Sequence, residues 1–160
     1  MMRLAHEMGV APEFARELEA WVDRLLGAEW EVVLAADDTY GDRAGVNVCL
    51  RNREATVTVC PTADVRPHAT ACHEVVHILL RRMHEVAWRI IDQLPEALRQ
   101  FARDTWVEAH EEVTEDIARA FIRAYAAAGE EGDAGNETKS ASRFGGRNGH
   151  DTPDRAAGSR

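Results

Sequence analysis

The spacing of the apolar residues changes at Pro61 from a strand period to a helical one, and that change limits the fold more than any other feature of the sequence. In the two segments just before it, apolar and polar residues alternate. Val46, Val48 and Leu50 stand against Asn47 and Cys49 between Gly45 and Leu50, and Val57 and Val59 stand against Thr56 and Thr58 between Ala55 and Cys60. A period of two belongs to strands with one buried face. Arg51-Asn52-Arg53-Glu54 suits a tight turn, so these strands are expected to form an antiparallel hairpin. Trp30 to Ala35, rich in β-branched and aromatic residues, reads as a third strand, separated from the hairpin by the turn-forming run from Asp37 to Asp42.

After Pro61 the apolar residues recur every three or four positions. Ala71, Val75, Val76, Leu79, Leu80, Trp88, Ile90 and Ile91 form one set; Leu98, Phe101, Val107, Val113, Ile117, Phe121 and Tyr125 form the next. Two helices are predicted. The first is capped by Thr62 or Asp64 with Pro67 in its early turn, and the second follows Pro95, with Asp104 the place for a break. Ahead of the strands, Phe14, Leu18, Trp21, Val22 and Leu25 mark an amphipathic helix over 12–26, opened by Pro12 and stopped by Gly27. The expected class is α+β: an N-terminal helix, a small three-stranded, mostly antiparallel sheet and two further helices. From Gly129 the sequence turns to Gly, Ser, Asn, Asp, Glu and Arg, too polar to offset the entropy of ordering. The expected organisation is therefore a domain over 1–128 and a disordered polar tail over 129–160.

The 19 Lys and Arg residues are outnumbered by 28 Asp and Glu, a formal net charge of −9. That balance gives the chain no general attraction for nucleic acid or an anionic membrane, and weakly disfavours an acidic substrate. No run approaches the roughly 20 apolar residues of a membrane span, and the N-terminus lacks a signal-peptide pattern. A cytoplasmic location is expected. Three cysteines, Cys49, Cys60 and Cys72, make a disulfide framework improbable; Cys49 and Cys60 read as small buried hydrophobes.

The first helix after Pro61 contains His73-Glu74-Val75-Val76-His77, an H-E-x-x-H sequence. Residues four apart on a helix lie one above the other, so both imidazoles can converge on one tetrahedral Zn²⁺. Glu74 sits beside the ion without binding it, placed to act as general base on a water that the metal acidifies and then to pass the proton to a leaving amine. A catalytic zinc needs a third protein ligand. The segment Glu108-Ala109-His110-Glu111-Glu112-Val113-Thr114-Glu115-Asp116 offers several. At about 100° per residue, the apolar set Val107, Val113, Ile117, Phe121 and Tyr125 defines an inward face. His110 and Thr114 fall within it, Glu111 lies on its border, and Glu112 and Asp116 point away. Glu111 and His110 are therefore the candidates.

A short α/β front end, an H-E-x-x-H helix after a strand, and a later helix carrying Glu ahead of Ile117-Ala118 together resemble the minimal gluzincin-type metallopeptidases. These include the small metallopeptidases of phages, prophages and mobile elements, and the resemblance covers roughly 12–128. It implies a minimal zincin-like fold with His73, His77 and Glu111 as zinc ligands and Glu74 as base; His110, the reserve ligand left by helix facing, would make a His₃ site of a different subgroup. It also implies a protein or peptide substrate encoded nearby, such as a repressor. Two rivals accompany it: a zinc hydrolase of a non-peptide amide or ester, and a non-catalytic helical interaction protein. Around the motif, His84 reads as a surface or supporting residue and Cys72 as packing. Trp88 and Trp106 read as core, and Tyr40 and Arg43 as loop residues within reach of the cleft. The free edge of the hairpin can hold an extended peptide by strand addition.

Overall fold

The computed structural model describes residues 10–40, 44–62 and 65–141, with side chains through residue 128. Its elements are α1 (Pro12–Leu25), β1 (Glu31–Ala36), β2 (Ala44–Cys49), β3 (Glu54–Val59), α2 (Pro67–Ile91) and α3 (Glu96–Ala141). The class is α+β, and each strand lies within one residue of its expected position. α1 opens on Pro12 and turns inward Phe14, Leu18, Trp21 and Val22. It stops at Gly27, whose φ of 70° is the left-handed conformation that glycine tolerates, with its N–H donating to the Val22 carbonyl at 3.1 Å. Arg66 occupies the N-cap of α2 and makes no side-chain cap, so Thr62 does not cap this helix, while Asp64 lies outside the described residues.

The sheet order is β1-β3-β2. β2 and β3 form the expected antiparallel hairpin, with Val46 opposite Val57 and Val48 opposite Ala55. β1 pairs with β3 in parallel, placing Val32 beside Ala55 and Leu34 beside Val57, so the sheet is mixed. The physical reason lies in β3. Ala55, Val57 and Val59 are all buried, so this strand takes the centre, and the parallel register puts Val32 and Leu34 on the same covered face. β2 is left as an edge strand.

Buried residues of α1, the three strands and the first half of α2 form one cluster. A fully buried Val, Leu or Phe contributes roughly 1.5–3 kcal/mol, so this cluster anchors the N-terminal half of α2, where Ala71, Cys72, Val75, Val76 and Ile78 all lie inside. The second half behaves differently. The stripe that begins with Cys72 and Val75 runs on as Leu79, Met83, Val86 and Ile90, which are 42, 42, 52 and 59% exposed. Leu79 and Ile90 therefore do not face the core as their spacing suggested.

α3 passes Asp104 without a break, and its backbone stays helical beyond residue 128 as far as Ala141; residues 142–160 of the expected tail lie outside the described residues. The chain divides into two compact units, 1–124 and 125–160. Within the first, the buried positions of α3 are His110, Thr114 and Ala118, whereas Val107 and Val113 are half exposed. The inward face is thus rotated toward Glu111 relative to the apolar pattern. Thr114 tolerates full burial because its hydroxyl donates to the His110 carbonyl at 2.8 Å. Cys60 and Cys72 are buried, but Cys49 is exposed, contrary to expectation; alternation with the buried Val48 turns it outward. Among the described residues no helix is long and apolar enough to cross a membrane.

Candidate metal centre

His73 and His77 occupy successive turns on one face of α2, and Val75 and Val76 between them are buried. Their Nε2 atoms are 3.0 Å apart. α3 brings Glu111 to the same place: its Oε2 lies 3.4 Å from His73 Nε2 and 3.5 Å from His77 Nε2. Three donor atoms at these separations leave a point about 2.1 Å from each, since the circle through them has a radius of about 1.9 Å. Ligands at about 2.1 Å in a tetrahedron stand about 3.4 Å apart, close to what is found here. The trio His73, His77 and Glu111 can therefore hold a metal ion. Two imidazoles and one carboxylate leave a fourth tetrahedral direction open.

The tautomer of His73 is fixed from behind. Its Nδ1 is 3.2 Å from Glu115 Oε2, so the proton sits on Nδ1, is donated to the carboxylate, and leaves the Nε2 lone pair toward the trio. Glu115 is steadied in turn by Arg119, whose Nη2 is 2.9 Å from Oε1. Burial holds His77 neutral, helped by the neighbouring His73, His110 and His84, and pushes its pKa down to about 3. A neutral imidazole is the form that binds a metal.

Glu74 is buried beside the trio and lines the same cavity as His73, His77 and Glu111, about 500 Å³ in volume. The opposite wall is the edge strand β2, through Ala44, Gly45, Val46 and Val48, with Tyr40 at its end. The Tyr40 side chain is seated against Gly45; any Cβ there would overlap its hydroxyl group. Arg43, the other loop residue expected near the cleft, lies outside the described residues.

His110 is not one of the trio. Its ring is buried, stacks on Trp106 with an interplanar angle of 16°, and has its centroid 5.3 Å from that of His77. Its Nδ1 makes no hydrogen bond, and burial lowers its pKa. His84 packs beside it, with centroids 5.1 Å apart, and accepts the indole N–H of Trp88 on Nε2. Burial, then His110 and Arg81, lower the His84 pKa and so favour the neutral, accepting form. His68, which is not one of the trio, pairs with Glu17 at 2.7 Å. Cys72 packs in the core with its thiol 3.7 Å from the Ala118 carbonyl; burial and then Glu115 push its pKa up to about 11, which leaves it unreactive.

Two contributors escaped the sequence reading. Glu115 stands four residues after Glu111, a spacing that repeats the His73 and His77 pair one helix away and was available as a signal. Arg81 stands four residues after His77 and lines the cavity; the same periodicity pointed to it. No family model, curated protein or solved structure matches the chain.

Proposed function

We propose that the protein is a zinc-dependent peptidase of the minimal H-E-x-x-H type, with His73, His77 and Glu111 as ligands and Glu74 as general base. The observation that supports this reading most is the trio itself. Two imidazole nitrogens and a carboxylate oxygen at 3.0, 3.4 and 3.5 Å from one another share a cavity with a buried carboxylate one residue after the first ligand. A His₂Glu donor set suits Zn²⁺, which when bound polarises a carbonyl and makes water acidic near neutral pH. Glu74 takes the proton of the attacking water and gives it to the nitrogen of the departing amine. Its burial keeps bulk water from competing for that proton. Glu115 holds His73 in the tautomer that binding requires.

The edge strand favours a peptide over a small amide or ester. Among the described residues β2 pairs with β3 alone, and Ala44, Gly45, Val46 and Val48 line the cavity that Glu74 also lines. An extended peptide can add to that edge by main-chain hydrogen bonds, with alternate side chains turned into the cleft. The test is direct. The full chain, purified with zinc, should hold about one ion and cleave members of an unstructured peptide library. Glu74→Gln should retain the ion and lose cleavage. A protein that binds no zinc, or that loses no activity in Glu74→Gln, overturns the reading.

A further inference from the structure

The cleft does not end at the metal centre. A second cavity of about 330 Å³ adjoins the first along α2, and the two share Arg81 and His84 as lining residues. Arg81 follows His77 by four residues, as His77 follows His73, so it continues the face that presents the ligands, about 6 Å farther along the axis. Its Nε is buried and makes no hydrogen bond. Glu85 pairs with it as an ion, its Oε1 3.6 Å from that nitrogen and outside hydrogen-bond distance. Arg89 and Trp88 line the second cavity beyond it. Among the described residues, the carboxylates that line the two cavities are Glu74, read above as the general base, Glu111, which belongs to the ligand trio, and Glu85, which lies alongside Arg81. The Arg81 side chain, 33% exposed, lines both cavities, and a guanidinium so placed is a site for an anion of matching planar geometry.

We infer that Arg81 selects a substrate carboxylate, bound at the junction of the two cavities within two residues of the scissile bond, on the side toward the C-terminal end of α2. An extended peptide advances about 3.4 Å per residue, which sets that distance. The carboxylate belongs to an Asp or Glu side chain or to the free C-terminus of the peptide. The inference rests on the peptidase reading for the position of the scissile bond. It also refines what the net charge implies. A formal charge of −9 disfavours acidic partners at long range, but that field is screened beyond about 8 Å at physiological salt, and among the described residues the cations that line the cleft are Arg81, which opens on both cavities, and Arg89, which lines the second alone.

Binding, measured apart from turnover, tests it. Zinc-loaded full-length Glu74→Gln is titrated into fluorescent neutral octapeptides in which one Gln at a time is replaced by Glu, each made with a free or an amidated C-terminus. Glu at one or two adjacent positions, or the free terminus, should tighten binding about tenfold, as expected for a charge-assisted hydrogen bond. Adding Arg81→Gln should bring that ratio to near one. Arg81→Lys should keep part of it, and Arg81→Glu should shift the preference to Lys. The amidated series separates a side chain from a terminus. Zinc at about one per chain in each variant shows that the fold is intact. An unchanged Glu-to-Gln ratio in Arg81→Gln, or no charge preference in any peptide, overturns the inference. Cleavage of the same peptides by the unsubstituted protein reports on the peptidase reading separately: preference without cleavage sinks that reading and leaves Arg81 standing.

Discussion

The two helices that build the candidate metal centre contribute to it in opposite ways. α2 supplies imidazoles from a segment anchored in the core, with the side chains of His73 and His77 only 21 and 15% exposed. α3 supplies carboxylates from a half-solvated face, with Glu111 and Glu115 at 52 and 46%. The imidazole pair is preset by helix geometry and by burial that keeps His77 neutral. The carboxylates meet it only because α3 packs across α2, and each loses side-chain freedom in doing so. A metal ion bound there would therefore meet a rigid half and an adjustable half, and loss of a residue from the rigid half should cost more.

That asymmetry can be broken from either side. The largest effect is expected from Glu74→Gln and His77→Ala. The first should lower peptide cleavage about a thousandfold with zinc content unchanged. The second should lower zinc affinity at least about a thousandfold, read by competition with a chelator. Glu111→Ala removes a ligand from the exposed half, where water can take its place. Its loss of zinc affinity should be smaller, about a hundredfold, and a loss equal to that of His77→Ala would abolish the distinction. Glu115→Gln leaves all three ligands and removes only the partner of His73 Nδ1. Its zinc affinity should fall about tenfold to a hundredfold, whereas no change would mean that the 3.2 Å contact does not orient the ring.

The smallest effect per step is the pH dependence of the metal-free protein. The unfolded chain takes up a proton on His77 near its ordinary value of 6.5, while the folded protein resists until about 3. Between these values the unfolded state binds more protons, so stability is complete above about pH 6.5 and falls as pH drops toward 3. The slope should approach about 1.4 kcal/mol per pH unit and weaken in His77→Ala. Denaturant titrations at a series of pH values check it, and a flat profile would contradict a buried neutral His77.

The same contrast explains what could be read before the structure. His73, Glu74 and His77 were legible because their relation is local: four residues on a helix place two rings together whatever surrounds them. The hairpin strands were legible from alternation, the first strand from its β-branched and aromatic content, and the helix stop from Gly27. Glu111 was narrowed to a border position by facing, yet the apolar set used for that argument was imperfect, since Val107 and Val113 are half exposed and the buried face runs through His110, Thr114 and Ala118. A buried Thr and His look polar in sequence; only the Thr114 hydrogen bond to the His110 carbonyl shows why burial is tolerated.

The sequence by itself determined the H-E-x-x-H pair, the α+β class and the hairpin, because each depends on periodicities of two or four residues along one segment. The tertiary structure decided the parallel place of β1 beside β3, the exposure of the second half of α2, the meeting of Glu111 and Glu115 with His73, and the opening of Arg81 onto two joined cavities. Those depend on which segments distant in the chain lie against each other. That choice is made by packing the whole core at once, and no local period encodes it.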